Sequence, residues 1–254
     1  MATAAMATAA MATAAMATAA MVEAGDLQRE RAFFFYMALA VVATVFAGFG
    51  FNFAMGMSSI HSPWWVHLHA ASMMTWVALF VTQAFLVYRG NVTAHRALGP
   101  IAAGWSAWIV VLGFAVTAMD VRTHRVPPFF HPNYFLAMDW LNMTAFAVLV
   151  IAAVRLRNRS DWHKRLMLGA MINPLAVAWG RLTLPFIFDQ RGIWLEIPIL
   201  LAYIGICMLY DRRTRGSVHP AHFWSGGALV SWVSLSFATA NLPPVVALAQ
   251  RLSG

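Results

Sequence analysis

The chain has 254 residues, of which 61% are hydrophobic and only 10% are charged. A soluble domain usually carries about a quarter charged residues, so this composition excludes an ordinary soluble protein and predicts that most of the chain lies in lipid. The formal net charge is +8. Because the basic residues are scattered among short segments and form no separate domain, they are weak evidence for nucleic-acid binding, and no nucleic-acid partner is predicted.

The N-terminus begins with four MATAA repeats, and residues 1–32 are predicted to be a low-complexity tail that is disordered or weakly helical. Methionine at every fifth position advances about 140° around a helix, so the methionines form no stripe. No basic segment precedes an apolar core, so the repeats do not resemble a signal peptide. Residues 250–254 are predicted to be a short C-terminal tail.

Seven apolar stretches between these tails are candidates for membrane spans, which take roughly 20 residues each. They are too long and too uniformly apolar for the alternating strands of a barrel. The sequence therefore predicts an all-α fold, a polytopic bundle of seven transmembrane helices in a single domain, 33–249. The predicted spans are 33–56, 64–88, 97–119, 134–154, 166–188, 193–210 and 221–249. Asn173–Pro174 and Pro243–Pro244 predict local kinks in the fifth and seventh spans.

The basic residues also predict the orientation. If the N-terminus is cytoplasmic, twelve of the seventeen Lys and Arg residues lie in inside segments. Because Lys and Arg accumulate on cytoplasmic loops, we expect the N-terminus inside and the C-terminus outside a bacterial inner membrane. The lone Cys207 excludes an intrachain disulfide.

The second span carries the polar residues His67, His69 and Gln83 in an otherwise apolar helix. Two residues apart, His67 and His69 point about 200° away from each other. His69 and Gln83 share one side of the helix, which is predicted to face the bundle interior, with Ser72, Met73, Trp76 and Phe80. For His69, an interhelical hydrogen bond is the structural alternative to a cofactor-binding role.

Asp139 and Arg181 are ionisable residues inside predicted spans, where a charge costs several kcal/mol unless it is paired or hydrated. Both lie toward the predicted outer face, so their placement allows an Asp139–Arg181 ion pair, acting as a structural clamp or in catalysis. Asp139 could instead orient the imidazole of His67 or His69. Together with His131, these three residues form a candidate site for Zn or Fe, which imidazole and carboxylate ligands suit.

His95 and His163 begin the third and fifth predicted helices, in the segments GNVTAHRALGP and DWHKRLMLGAMINP. Helix N-termini and arginines favour anions, so these points could hold a lipid phosphate or a haem propionate. Positive-inside anchoring explains the basic residues equally well. A haem held by two histidines needs imidazoles at equal depth on facing helices. His95 and His163 are candidates at the inner boundary, whereas no other helix offers an outer-side histidine at the depth of His69.

Four ordered elements resemble a widespread group of poorly characterised bacterial multi-helix membrane proteins, across about residues 33–185. These elements are VHLHAASMMTWVALFVTQAFLV, AHRALG, FLAMDWLNMTAF and DWHKRLML. More distantly, the chain is similar to the cytochrome b561 class. That resemblance implies b haems ligated by histidines of antiparallel helices at both membrane faces, and electron transfer across the membrane. It implies His69 outside, and His95 or His163 inside, as axial ligands.

Three functions remain as alternatives, and the sequence leaves open whether the protein is an enzyme. The first is a haem b electron-transfer protein. The second is an accessory or structural subunit of a respiratory or photosynthetic complex, with no cofactor of its own, that contacts lipid, other subunits, quinone or pigment. The third is a metalloenzyme with Zn or Fe at the outer-face site. The sequence contains no phosphate loop, HExxH motif or dinucleotide fingerprint.

Overall fold

The computed structural model describes residues 2–183 and 193–254, and within these ranges the chain is helical and contains no strand. The all-α prediction is therefore confirmed for the described residues. Their helices are α1 (Ala2–Ala54), α2 (Trp64–Tyr88), α3 (Val92–Arg122), α4 (Pro132–Arg155), α5 (Ser160–Ile172), α6 (Ala176–Thr183), α7 (Ile193–Arg215), α8 (Ala221–Thr239) and α9 (Pro243–Ser253), with a 3-10 turn at Asn173–Leu175.

Five of these helices are long and apolar enough to cross a membrane, and α8 with α9 would make a sixth if the bent pair is one span. The five are α1 from Ala15 onward, α2, α3, α4 and α7 from Trp194 onward. Their length and composition are compatible with an integral, multi-pass membrane protein in contact with a lipid bilayer. The count of seven spans and the orientation stay predictions. The MATAA repeats are part of helix α1. Of the two forms predicted for the N-terminal tail, disordered or weakly helical, the structure has the helical one.

The fifth predicted span, 166–188, corresponds to α5, the 3-10 turn and α6, and its residues 184–188 lie outside the described residues. Pro174 has no backbone N–H to donate to the preceding turn. At the kink predicted for Asn173–Pro174, the structure has the 3-10 turn between α5 and α6. Asn173 donates from Nδ2 to the Gly169 carbonyl at 2.9 Å. Nearly every residue from Arg165 to Ala178 is buried, because α1, α4 and α8 surround this segment.

The seventh predicted span, 221–249, consists of two helices in the structure, and a break between them lies at the kink predicted at Pro243–Pro244. Helix α8 ends at Thr239, and α9 begins at Pro243 with its axis bent by 80°. Proline suits the first turn of a helix, where its missing N–H has no partner to lose, so the proline pair starts a new helix rather than kinking the old one. Helix α9 packs Ala249 and Leu252 against the Val121 and Leu136 region of α3 and α4.

We name the end of the helix bundle that contains Arg31, Arg89 and Arg212 the basic end, and the other end of the bundle the opposite end. Helix α2 turns its predicted interior face into the bundle: Ser72, Trp76 and Phe80 are buried. Two tryptophans of α3 hydrogen-bond to Ser72, since the indole N–H of Trp105 donates to its carbonyl at 3.0 Å and that of Trp108 to its hydroxyl at 3.1 Å.

Helices α5 and α8 pack closely because Gly169 has no side chain. A Cβ atom at Gly169 would lie 2.5 Å from the Cβ of Ser225 and closer still to its hydroxyl. We expect Gly169→Ala to lower the free energy of unfolding by about 1–2 kcal/mol, the usual cost of overpacking a core. Unfolding in mixed detergent micelles measures this change. The matched control is Gly227→Ala on α8, where no atom lies within 4 Å of the new Cβ. Equal losses in the two variants would contradict the prediction.

Candidate functional site

The histidines His95 and His163 meet at the basic end. Asn91 caps α3 by accepting a hydrogen bond from the Ala94 N–H at 3.1 Å, which places His95 in the first turn of that helix. His163 lies in the first turn of α5, and both helices pack against α4. The two ring centroids are 6.1 Å apart, and the ring planes lie at 75° to each other. The structure thus brings together the two histidines that the sequence singled out at this boundary.

The hydrogen bonds of these two rings define where their protons lie. The His163 Nδ1 atom is 2.8 Å from the Ala153 carbonyl, which can only accept, so Nδ1 carries the proton and Nε2 has a free lone pair. Burial lowers the pKa of His163, although the bond to Ala153 acts in the opposite direction. The ring is therefore neutral near pH 7, which is the form that binds a metal.

Gln83 lies beside His95, so the structure joins a third predicted residue to this pair. In the amide orientation that satisfies both of its polar atoms, the Gln83 nitrogen is 3.2 Å from the His95 carbonyl and 2.5 Å from His95 Nδ1. Its oxygen accepts from the Gly99 N–H at 3.2 Å. In this arrangement Nδ1 of His95 accepts, and the proton lies on Nε2. Turning the Gln83 amide over would reverse that assignment.

A buried ion network lies at the same end and centres on Arg165, whose side chain is fully buried. Its guanidinium forms two bonds with the Asp211 carboxylate, at 2.8 and 2.5 Å. The remaining donors contact Glu30 of α1 at 3.3 Å and the Asp161 carbonyl at 2.9 Å. Lys164 forms a second ion pair with Glu30 at 2.6 Å. The network therefore ties α1, α5 and α7 together.

Two histidines extend this network to α8. His222 Nε2 donates to Asp211 at 2.8 Å. His219 accepts from the Ala221 N–H through Nδ1 at 3.2 Å, so its Nε2 carries the proton and donates to Asp161 at 3.1 Å. Burial acts to raise the pKa of Asp161, but the bonds from His219 and from backbone N–H groups outweigh it, and the pKa lies below its ordinary value.

This network was not predicted from the sequence, because the basic residues of DWHKRLMLGAMINP were interpreted as anion contacts or as anchors, and Glu30 and Asp211 had no predicted role. A signal was nevertheless present. The chain has only nine acidic residues, and Glu30, Asp161 and Asp211 each lie in a segment that is rich in arginine or lysine. When acidic residues are this few, one that lies at the basic end of a membrane protein indicates a specific cationic partner.

The predicted residues of the opposite end do not form a comparable cluster. His69 is half-buried, and its Nδ1 atom is buried with no hydrogen-bond partner among the described residues. His67 is exposed, with Nε2 3.1 Å from the Ile60 carbonyl, and His131 is exposed at the start of α4. Among the described residues, no three His, Cys, Asp or Glu side chains lie close enough to share a metal ion. The set of His67, His69, His131 and Asp139 is therefore not assembled into a metal site.

Asp139 and Arg181 are not joined by the predicted direct ion pair. The Asp139 carboxylate accepts from the Thr117 hydroxyl at 3.4 Å. Arg181 donates to the Val177 carbonyl at 2.8 Å, and its guanidinium carbon lies 4.1 Å from the ring centroid of Phe49. Among the described residues, a cation–π contact and a backbone carbonyl stabilise the guanidinium.

No family model, curated protein or solved structure matches this chain. Function is therefore inferred from the side chains themselves. The paired imidazoles of His95 and His163 are the predicted ligand residues that the structure places in contact.

Proposed function

We propose that the protein is a membrane-embedded b-type haem protein that transfers electrons, in which His95 and His163 would hold the iron. A bound haem would supply one-electron chemistry. The observation that supports this proposal is the contact of two half-buried imidazoles, carried by the first turns of two different helices. The proposal differs from the expectation of a haem at each face, because the histidine pair in ring contact among the described residues is His95 and His163.

The spacing of the two rings suits a metal between them. An imidazole nitrogen lies about 2.0–2.1 Å from a bound metal, so two such nitrogens on opposite sides of a metal are about 4 Å apart. The ring centres lie roughly 1 Å further out on each side, which gives a centroid separation of about 6 Å by the same geometry. The observed separation is 6.1 Å.

The hydrogen bond of His163 also suits ligation, whereas that of His95 would have to change. A metal-bound histidine almost always donates its other ring N–H to a carbonyl or carboxylate, and His163 does so to Ala153. His95 would do the same if Gln83 turned its amide oxygen toward Nδ1. Gln83 would therefore act as a positioning residue: turning its amide over would move the His95 proton to Nδ1 and free Nε2 to bind.

The decisive experiment is an absorption spectrum of the full chain, purified in mild detergent from cells supplied with haem. We expect a Soret band in the wild type that is strongly reduced in His163→Ala and in His95→Ala. The matched control is His67→Ala, which removes an exposed imidazole and should leave the band unchanged. Gln83→Leu should keep the band but shift the reduction potential, because the His95 tautomer loses its support. A colourless wild-type protein, or a band that survives both ligand substitutions, would contradict the proposal.

A further inference from the structure

A polar cleft opens at the basic end between α1 and the end of α2, away from the histidine pair. Its volume is about 380 Å³, and its lining residues are Gln28, Arg31, Tyr88, Arg89 and Gly90. We name it the arginine cleft. Helix α1 supplies Gln28 and Arg31 from one face, since residues three apart are neighbours on a helix. Gln28 joins the two walls by donating to the Tyr88 carbonyl at 3.3 Å.

The two arginines of the cleft have positive charge without a carboxylate to balance it. No carboxylate lines the cleft, and neither Arg31 nor Arg89 forms an ion pair within the part of the chain that the structure describes. The nearby acids already have other partners. Glu30 is bound to Lys164 and Arg165, and Asp26 pairs with Arg29 at 3.0 Å. The cleft therefore favours an anion from outside the chain.

Aromatic side chains extend from the cleft along the two helices toward the apolar part of the bundle. Phe35 lies one turn beyond Arg31 on α1 and stacks on Tyr88, with ring centroids 4.9 Å apart. Phe85 lies 5.7 Å from Phe35 and is 44% exposed. A positively charged cleft beside an exposed aromatic surface suits an amphiphile, because an amphiphile has a charged headgroup and apolar acyl chains.

We infer that the arginine cleft binds one anionic phospholipid, with Arg31 and Arg89 on its phosphate and the acyl chains along Phe35 and Phe85. Arginine binds phosphate oxygens through its planar, forked donors. Basic pockets between transmembrane helices are recurrent sites for anionic lipid headgroups. The inference does not depend on the proposed haem, since none of the cleft residues is a proposed iron ligand.

Native mass spectrometry of the full chain tests this inference. The protein is purified in an uncharged detergent, stripped of lipid, and titrated with phosphatidylglycerol or with phosphatidylcholine of the same acyl chains. We expect the wild type to bind one phosphatidylglycerol in preference to phosphatidylcholine. The double variant Arg31→Gln/Arg89→Gln should bind phosphatidylglycerol on the order of tenfold more weakly.

The matched control is Arg212→Gln/Arg213→Gln, which removes the same charge from exposed positions at the same end of the molecule and should keep the preference. If the first double variant fails to fold, Arg89→Gln alone carries the test, because Arg89 is exposed. Equal weakening in both double variants would show a general charge effect and overturn the inference. Displacement of the lipid by millimolar inorganic phosphate would overturn it as well, by showing a site for a free anion.

Discussion

Arg165→Met is expected to lower the free energy of unfolding by about 3–5 kcal/mol, the cost of removing one partner from a buried ion pair. The substitution leaves the Asp211 carboxylate buried, and removes the bonds of Arg165 to Glu30 and to the Asp161 carbonyl. The fully buried Asp211 carboxylate then keeps the hydrogen bond from His222 but has no guanidinium to balance its charge. Equilibrium unfolding in mixed micelles, followed by tryptophan fluorescence, measures the loss.

Two further variants separate the buried network from a general effect of charge. Arg29→Met removes an exposed arginine whose partner Asp26 is also exposed, with side-chain exposures of 75% and 67%. An exposed pair contributes about 0–1 kcal/mol, so this variant should remain nearly as stable as the wild type. In Arg165→Met/Asp211→Leu both central charges are absent, and part of the lost stability should return. The single variant Asp211→Leu completes the cycle. If the double variant loses as much stability as Arg165→Met and Asp211→Leu lose in sum, Arg165 and Asp211 are not coupled.

Hydrophobic length predicted most of the helices, because a membrane helix needs only an apolar run of sufficient length. The predicted span 64–88 and the observed α2, Trp64–Tyr88, agree. Length alone could not predict the break between α8 and α9. There the apolar sequence continues through residue 249, but helix α8 ends at Thr239. A new helix begins at Pro243, because proline suits the first turn of a helix.

The candidate site could be predicted only where a single helix determines it. The interior face of α2 follows from helical periodicity, and His95 and His163 follow from their placement at two helix starts. The ion network depends on how distant helices pack: Arg165 and Asp211 are 46 residues apart, and Arg165 and Glu30 are 135 apart. Periodicity within one helix contains no information about such a pairing, so only the scarcity of acids could have indicated it.

Close approach of α1 and α6 makes Gly48 the most sensitive glycine of the bundle. A Cβ atom at this position would overlap the Ala178 carbonyl oxygen and lie 2.9 Å from both the carbonyl carbon and the Cα atom of Ala178. These are backbone atoms, so no change of rotamer relieves the clash, and the two helices must separate. Small residues at such contacts let membrane helices approach closely. We expect Gly48→Ala to lower the free energy of unfolding by about 3 kcal/mol or more, the upper range for overpacking.

The controls follow from the chemistry of each contact. Gly50→Ala places the same methyl group two residues away, where no atom lies within 4 Å, and should not destabilise the protein. Ala178→Gly should fail to rescue Gly48→Ala, because the clash is with the backbone of residue 178 and not with its side chain. Ser225→Gly, by contrast, should rescue Gly169→Ala, whose nearest clashes are with the Ser225 side chain. Rescue of Gly48→Ala by Ala178→Gly would show that α1 and α6 are held apart by side chains, and that the backbone contact at Gly48 is not what limits their approach.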